Sequence, residues 1–497
     1  MNSFGLDTPL LSVKNGAYKW SIRDSVQGTA IFGGIGSGKT SAVGAKISTK
    51  MLAAGYGGLV LCAKHDEVDL WRSYCEKAGR LDDLIIVNEQ SENYFNLFDY
   101  EFENSASRRV ATDNLVEVLS TIIRSGDEKS QGRSDDRFWS DALNLLLYNL
   151  IDLCILANDG VTVKDMYEIM ASLPKANHFP PDKSQKIQET LFVRTYNRAQ
   201  QRVNALVEEW REKNADSKNL EQEEFNEVIS FHIPEARTLR YVYEFFQQNF
   251  LPLAEKTKSI ITYSCFSFLG RFMRDPVYSI FNKHKSNFTP DDCSQGKIIV
   301  LDFPVKKYHR AGRDVQTLFK LIWQRAMEKR KVDDDTRPVF LWADEAQHFL
   351  HEHDSEFQAT ARSSRIATVY ISQNLSNYYT HMGGSNAEHR VKSFLGTLST
   401  KFFLANADVD TNEYASQLCG DGFFYTPSEN ENFGNESFGF GKGWNFQSMR
   451  AVRPEEFIKL KSGGPENNFD VEAYMHVQGR PIFDNKNFYK VTFNQKQ

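Results

Sequence analysis

Residues 29–40 read TAIFGGIGSGKT, an apolar strand candidate that runs straight into a glycine-rich turn ending in Lys39 and Thr40. From Gly33 to Thr40 the stretch fits G-x-x-x-x-G-K-[ST], and the helix-forming run SAVGAKISTKMLAAG follows it. A strand, a turn and a helix in this order are the context in which that spacing cradles phosphate. Glycines let successive N–H groups turn inward around phosphate oxygens, and the positive end of the following helix adds its field. Gly33, Gly34, Ile35, Gly36, Ser37, Gly38, Lys39, Thr40 and Ser41 are therefore the expected nucleotide-binding residues. Lys39 is expected to reach the β- and γ-phosphates of ATP, and Thr40 to offer its hydroxyl to Mg2+.

Such a site needs acidic groups beside the phosphates, and VFLWADEA (339–346) supplies them where a buried-type strand ends. Asp344 is expected to hold the metal shell and Glu345 to polarise the attacking water. Read alone, the pair fits a helix cap equally well, because acids favour helix N-termini. The strand IATVYISQN (366–374) puts Gln373 at a strand end, where a neutral amide can sense the γ-phosphate or simply terminate a strand. Upstream, Arg362 and Arg365 in ATARSSRIATV are candidate arginine fingers toward a neighbouring subunit, and the sequence does not choose between them. Their bland alternative is a solvated helix face.

Outward from these motifs, the first hundred residues alternate strand and helix patterns, the rhythm of a parallel sheet in an α/β fold. From 104 to 287 the chain changes to long, charged segments of helical period such as ALNLLLYNLIDLCILA and QQRVNALVEEWREKN. Strand patterns return as KIIVLDFP, PVFLWADEA, IATVYISQ and TKFFLAN. The reading is a RecA-like P-loop NTPase domain, 1–103 and 288–497, split by an inserted all-α domain, 104–287. The most apolar run, 142–157, is broken by Asn144, Asn149 and Asp152, as expected of an amphipathic core helix rather than a membrane span. Residues 428–448, rich in Asn, Gly and Phe, read as a loop.

Acidic residues outnumber basic ones, 65 to 59, so the chain has no long-range pull on a polyanion and any DNA contact must be local. The densest basic stretch, PVKKYHRAGR with Lys306, Lys307, His309, Arg310 and Arg313, reads as a loop able to face DNA or as a solvated face. Lys283 and Lys285 read the same way. His348, His351 and His353 have no further ligand constellation around them and read as a surface helix end. Six scattered cysteines without CxxC spacing suggest buried thiols in the cytoplasm, and the first twenty residues show neither signal peptide nor membrane anchor.

Taken in order, RDSVQGTAIFGGIGSGKT, Phe138-Trp139 before ALNLL, VFLWADEA, SSRIATVYISQN, KFFLANADVDTNEYASQLCG and RPEEFIKLKSGG resemble the TraG/TraD family of type IV secretion coupling proteins, in the HerA/FtsK branch of P-loop motors. The resemblance implies an ATP-driven hexamer that engages DNA, takes relaxase cargo through the all-α domain around Phe138 and Trp139, and uses Gln373 as its sensor. It also implies a cytoplasmic chain, or one held peripherally at the inner face of the membrane. Two departures stand out: the family's leading membrane helices are missing, and its Asp-Pro-Lys-Gly-Glu strand end reads Cys62-Ala63-Lys64-His65-Asp66. Beside the motor reading stands a nucleotide-gated docking protein for a relaxase or effector, or an ATPase of another DNA-processing or defence system.

Overall fold

In the computed structural model, the described residues are 4–13, 16–127, 136–158, 160–173, 190–214, 220–351, 353–382, 387–434, 437–482 and 485–496. The chain divides into two compact units: residues 1–85, 290–309 and 323–497 form the first, and 86–289 with 310–322 form the second. The sequence reading put these borders at 104 and 287, inside stretches that are helical or irregular on both sides and so carry no change of period.

Thirteen strands are present among the described residues: β1 (Pro9–Val13), β2 (Tyr18–Ser21), β3 (Thr29–Phe32), β4 (Gly57–Leu61), β5 (Leu84–Val87), β6 (Ile298–Leu301), β7 (Val339–Ala343), β8 (Ile366–Ser372), β9 (Thr400–Leu404), β10 (Asp421–Gly434), β11 (Ser437–Arg450), β12 (Asp470–Val477) and β13 (Phe488–Asn494). Nine of them form one sheet in the order β13-β12-β9-β3-β8-β7-β4-β6-β5. The pairs β9-β3, β3-β8, β8-β7, β7-β4 and β4-β6 are parallel, whereas β12 and β13 join antiparallel at one edge. Every residue of β3, β4, β6, β7, β8 and β9 is buried, the signature of strands covered on both faces. All these parallel strands point the same way, so the turns after β3, β4, β7, β8 and β9 gather at one end of the sheet. That end is where open α/β sheets hold their ligands.

Unit 2 is helical, including Arg108–Asp127, Asp136–Ala157, Val163–Ala171, Leu191–Lys213 and Glu255–Leu269. The helix Asp136–Ala157 packs against its neighbours Arg108–Asp127 and Leu191–Lys213. Its stretch Phe138–Ala157 is, by length and composition, apolar enough to cross a membrane, and 56% of the most apolar window is buried within the protein. Asp152 on this helix accepts a hydrogen bond from Thr112 Oγ1 at 3.0 Å, and burial pushes its carboxyl up to about 6. Edge-to-face rings, Phe192 on Phe246 at 4.7 Å and Phe95 on Phe319 at 4.9 Å, fill the remaining core.

Three expectations are corrected. Residues 428–434 and 437–448 are not a loop: they fall in β10 and β11, a separate antiparallel hairpin whose register runs from Asp421↔Arg450 to Gly434↔Ser437. Backbone pairing overrides the weak strand propensity of Asn and Gly there. The basic stretch is no loop either, because residues 305–328 are helical on both sides of a break at His309, where φ is 50°. Arg310 and Arg313 turn with Arg271 onto the buried Asp314, at 3.9, 3.2 and 2.6 Å. Lys285 likewise pairs with Asp99 and Glu103. Finally, His351 is buried rather than at the surface, with its backbone N–H donated to Asp354 at 2.8 Å. Among the described residues no cluster of three or more His, Cys, Asp or Glu side chains could hold a metal.

Candidate nucleotide site

β3 delivers the chain to the loop Gly33–Gly38, and a helical turn begins at Lys39. Gly36 and Gly38 stand at φ 74° and 84°, where only glycine sits without strain. The loop is also crowded. A Cβ on Gly38 would lie 2.5 Å from Val471 Cγ2, and one on Gly33 would lie 2.3 Å from Ser37 Oγ. Gly34 N–H donates to Ala405 O at 2.8 Å, which ties the loop to the end of β9. Ile35 projects fully exposed at the tip, while Ser37 is buried. Ser41 accepts a hydrogen bond from Gln495 Nε2 at 2.8 Å.

The acidic end of β7 lies beside this loop because β7 and β3 both flank β8. Thr40 Oγ1 donates to Asp344 Oδ2 at 2.9 Å across 304 residues of sequence. Asp344 Oδ1 in turn accepts the backbone N–H of Glu345 at 2.9 Å. Glu345 takes the left-handed conformation, φ 49° and ψ 50°, and its carboxylate is caught from two sides. Gln347 Nε2 donates to one oxygen at 2.9 Å and Gln373 Nε2 to the other at 3.1 Å. Each amide is itself held, Gln347 by Ser372 Oγ at 2.9 Å and the Gln373 backbone oxygen by Asn406 at 2.8 Å.

Charge in this corner is arranged to favour carboxylates. Burial works to raise Glu345, yet the hydrogen bonds from Gln347 and Gln373 and the nearby Lys64 and Lys39 hold it below its usual value. Burial lowers Lys39, and the attraction of Glu345 and Asp344 only partly offsets this. Lys64, after β4, lies 3.3 Å from Glu345 Oε1 and 3.8 Å from Asp344 Oδ2. Burial opposes its charge, but the two carboxylates prevail and it stays above its usual value. The turn carrying Lys64 is pinned by the buried Glu67, which accepts the N–H groups of Ala63 and Lys64 at 3.1 Å each. Burial and Asp344 raise Glu67 well above an ordinary carboxyl.

The structure thus brings together the P-loop, Thr40, Asp344, Glu345 and Gln373. Arg362 and Arg365 lie elsewhere, before the start of β8, whereas Gln373 follows its end, seven strand residues and roughly 20 Å away. Arg365 is buried and donates to the carbonyls of Phe4 and Thr336 at 2.8 and 3.0 Å, while Arg362 is exposed. Lys64, Glu67, Gln347 and Asn406 were not among the expected site residues. The legible signal for Lys64 was its place: it follows a strand that pairs in parallel with β7, in the register Leu61↔Ala343.

Oxygen donors from one hydroxyl and one carboxylate suit a hard divalent cation completed by phosphate and water. The ammonium of Lys64 beside the same Asp344 oxygen shows that this point already draws positive charge.

The segment 338–462 matches the family described as the TraM recognition site of TraD and TraG. Curated proteins give no significant sequence match. Among solved structures, the bacterial conjugative coupling protein TrwB, lacking its N-terminal part and unbound, superposes with TM-score 0.60 at 13% identity, over 99% of this chain and 89% of that one. TrwB with ADP and Mg2+ gives 0.56, again at 13% identity over 99% and 89%. TrwB with a non-hydrolysable ATP analogue gives 0.58 at 13% identity over 99% and 95%. These likenesses establish a shared fold of RecA-like type with an all-α part. The TraD and TraG segment thus spans β7 to β11, and the fold shared with TrwB runs the length of the chain.

Proposed function

We propose that the chain is an Mg2+-dependent ATPase of a conjugative or related DNA-processing system, working as a ring that moves or loads DNA. The observation that carries the reading is the meeting of Thr40 and Asp344 at 2.9 Å beside a buried Lys39 and a carboxylate held by Gln373. In this reading residues 33–41 bind the nucleotide, with Lys39 on the phosphates, and Thr40 with Asp344 holds Mg2+. The cation would draw charge from the phosphates. Glu345, ionised at neutral pH, orients the attacking water and accepts its proton as the water's oxygen bonds to phosphorus. Gln373 leaves Glu345 for the γ-phosphate and so couples nucleotide state to β8. Arg362 is the arginine available to a neighbouring subunit, since Arg365 serves the backbone. The RecA-like part is the first unit, 1–85 with 290–309 and 323–497, and the helical part, with Phe138 and Trp139, takes the DNA or relaxase cargo, in the cytoplasm or at the inner face of the membrane.

TrwB, which shares the fold, has been captured with ADP and Mg2+ and with nucleotide analogues, which supports the assignment of ATP and Mg2+ here. The test is steady-state ATPase activity of the purified chain with and without DNA, alongside Lys39→Ala and Glu345→Gln, with molar mass by light scattering. DNA-stimulated turnover that both variants abolish, in a ring-sized particle, is expected. Turnover that survives Glu345→Gln sinks the assignment of the base, and turnover indifferent to DNA in a monomer favours the docking-protein reading.

A further inference from the structure

The hairpin β10–β11 presents two unlike faces. Directly paired residues share a face, so Asp421, Phe423, Tyr425, Pro427 and Glu429 lie on one side with Arg450, Ser448, Phe446, Trp444 and Lys442. Phe423 stacks on Phe446 at 5.0 Å and Tyr425 contacts the same ring at 5.1 Å. Phe423, Tyr425, Trp444 and Phe446 are 70, 71, 71 and 58% exposed. Four such rings leave about 500 Å² of aromatic surface open to water, against about 800 Å² that each partner contributes to a standard protein interface. No third strand pairs with β10 or β11 among the described residues, and a lone two-stranded ribbon is marginal in water. The face therefore calls for a cover.

Its charges say which. One end carries the ion pair Asp421–Arg450 at 3.0 Å and the other Glu429–Lys442 at 3.2 Å, and the aromatic rings lie between. Each cation is already matched, Arg450 by Glu413 as well at 3.7 Å, so the ribbon face itself is neutral and offers no surplus for a phosphate backbone. A neutral strip with both signs at each end is complementary to itself. Turned about a two-fold axis parallel to the strands, one ribbon sets Glu429 over the other's Lys442, Asp421 over Arg450 and Tyr425 over Phe446. A two-fold across the strands would instead set Glu429 over Asp421 and Lys442 over Arg450, like charge on like. We propose that this aromatic face docks on the same face of a second copy of the chain, about the axis parallel to the strands. The contact is separate from the head-to-tail contacts of an ATP-dependent ring.

The test uses the nucleotide-free full chain and light scattering over a concentration series. The wild-type chain is expected to pair. Lys442→Glu alone and Glu429→Lys alone are each expected to weaken pairing at least tenfold, and an equimolar mixture of the two to restore it. Tyr425→Ser with Trp444→Ser is expected to leave a monomer whose circular dichroism matches wild type. A monomeric wild type, single variants that pair normally, or a mixture that fails to pair overturns the proposal. So does a monomeric wild type that binds a single-stranded oligonucleotide through Tyr425 and Trp444, the outcome expected of base stacking. Larger assemblies that appear only with ATP report on the ring and leave this result unchanged.

Discussion

Replacing Lys64 by methionine keeps the stem and removes the charge that sits between Asp344 and Glu345. At 3.3 Å from Glu345, two unit charges attract by about 5 kcal/mol at the effective dielectric of a protein surface. Removing one member of a buried pair typically costs ~3–5 kcal/mol, because the partner is left uncompensated. Lys64 is 28% exposed, so water screens part of this and about 2–3 kcal/mol is expected. In a unit of this size that lowers Tm by roughly 5 °C. Calorimetry of nucleotide-free Lys64→Met at mildly alkaline pH reads the effect, with Glu345→Gln and the double variant closing the cycle. Glu345 is held below its usual value in the fold, so the attraction is fully present above the ordinary carboxylate range. It is lost as pH falls through the depressed value, and the gap between variant and wild type must shrink on acidification. Equal melting at alkaline pH, or a double variant no more stable than Lys64→Met, refutes the account of the corner as a compensated carboxylate pair.

Gly38→Ala combines a left-handed backbone with a methyl 2.5 Å from Val471, and a cost of ~1–2 kcal/mol from the backbone alone predicts roughly 5- to 30-fold weaker nucleotide binding by calorimetric titration. Adding Val471→Ala should recover part of that loss. Lys401, buried with its amine lowered to about 8, penalises the fold by about 3 kcal/mol at neutral pH. Lys401→Met should therefore raise Tm near neutrality despite losing the bond to the Leu398 carbonyl, and the gain should vanish above the ordinary lysine range, where the unfolded amine is also neutral. Arg365→Ala, which strips donors from two carbonyls, should destabilise the chain by ~2 kcal/mol or more in thermal melts. Arg362→Ala should leave Tm unchanged and lower ATPase turnover only in the assembled ring.

Much of the fold was legible because its core obeys simple periods. The uninterrupted apolar runs of β3, β7 and β8 announce doubly covered strands, and the P-loop announces its own strand and helix. What stayed hidden needed partners far away in sequence. Lys64 has no meaning until β4 lies beside β7, and Arg365 resembles any helix-end arginine until Phe4 and Thr336 surround it. The hairpin hid behind composition: Trp444 and Phe446 alternate with smaller residues, but Phe424 between Phe423 and Tyr425, with the many Asn and Gly, obscures the period of two. The basic stretch misled for the opposite reason, since Gly312 and the charges read as a loop where Val315, Leu318, Phe319 and Ile322 bury a helix.

The edge formed by β12 and β13 has a consequence for how the chain is made. Val471 fills the space over Gly38, and Gln495 holds Ser41 from 454 residues downstream. Asp344 reaches Thr40 from 304 residues downstream. A chain still emerging from the ribosome thus carries its phosphate loop from the outset without the side chains that shape it. The loop therefore takes its final shape only when β12 and β13 have joined the sheet, because Val471 and Gln495 then close over Gly38 and Ser41.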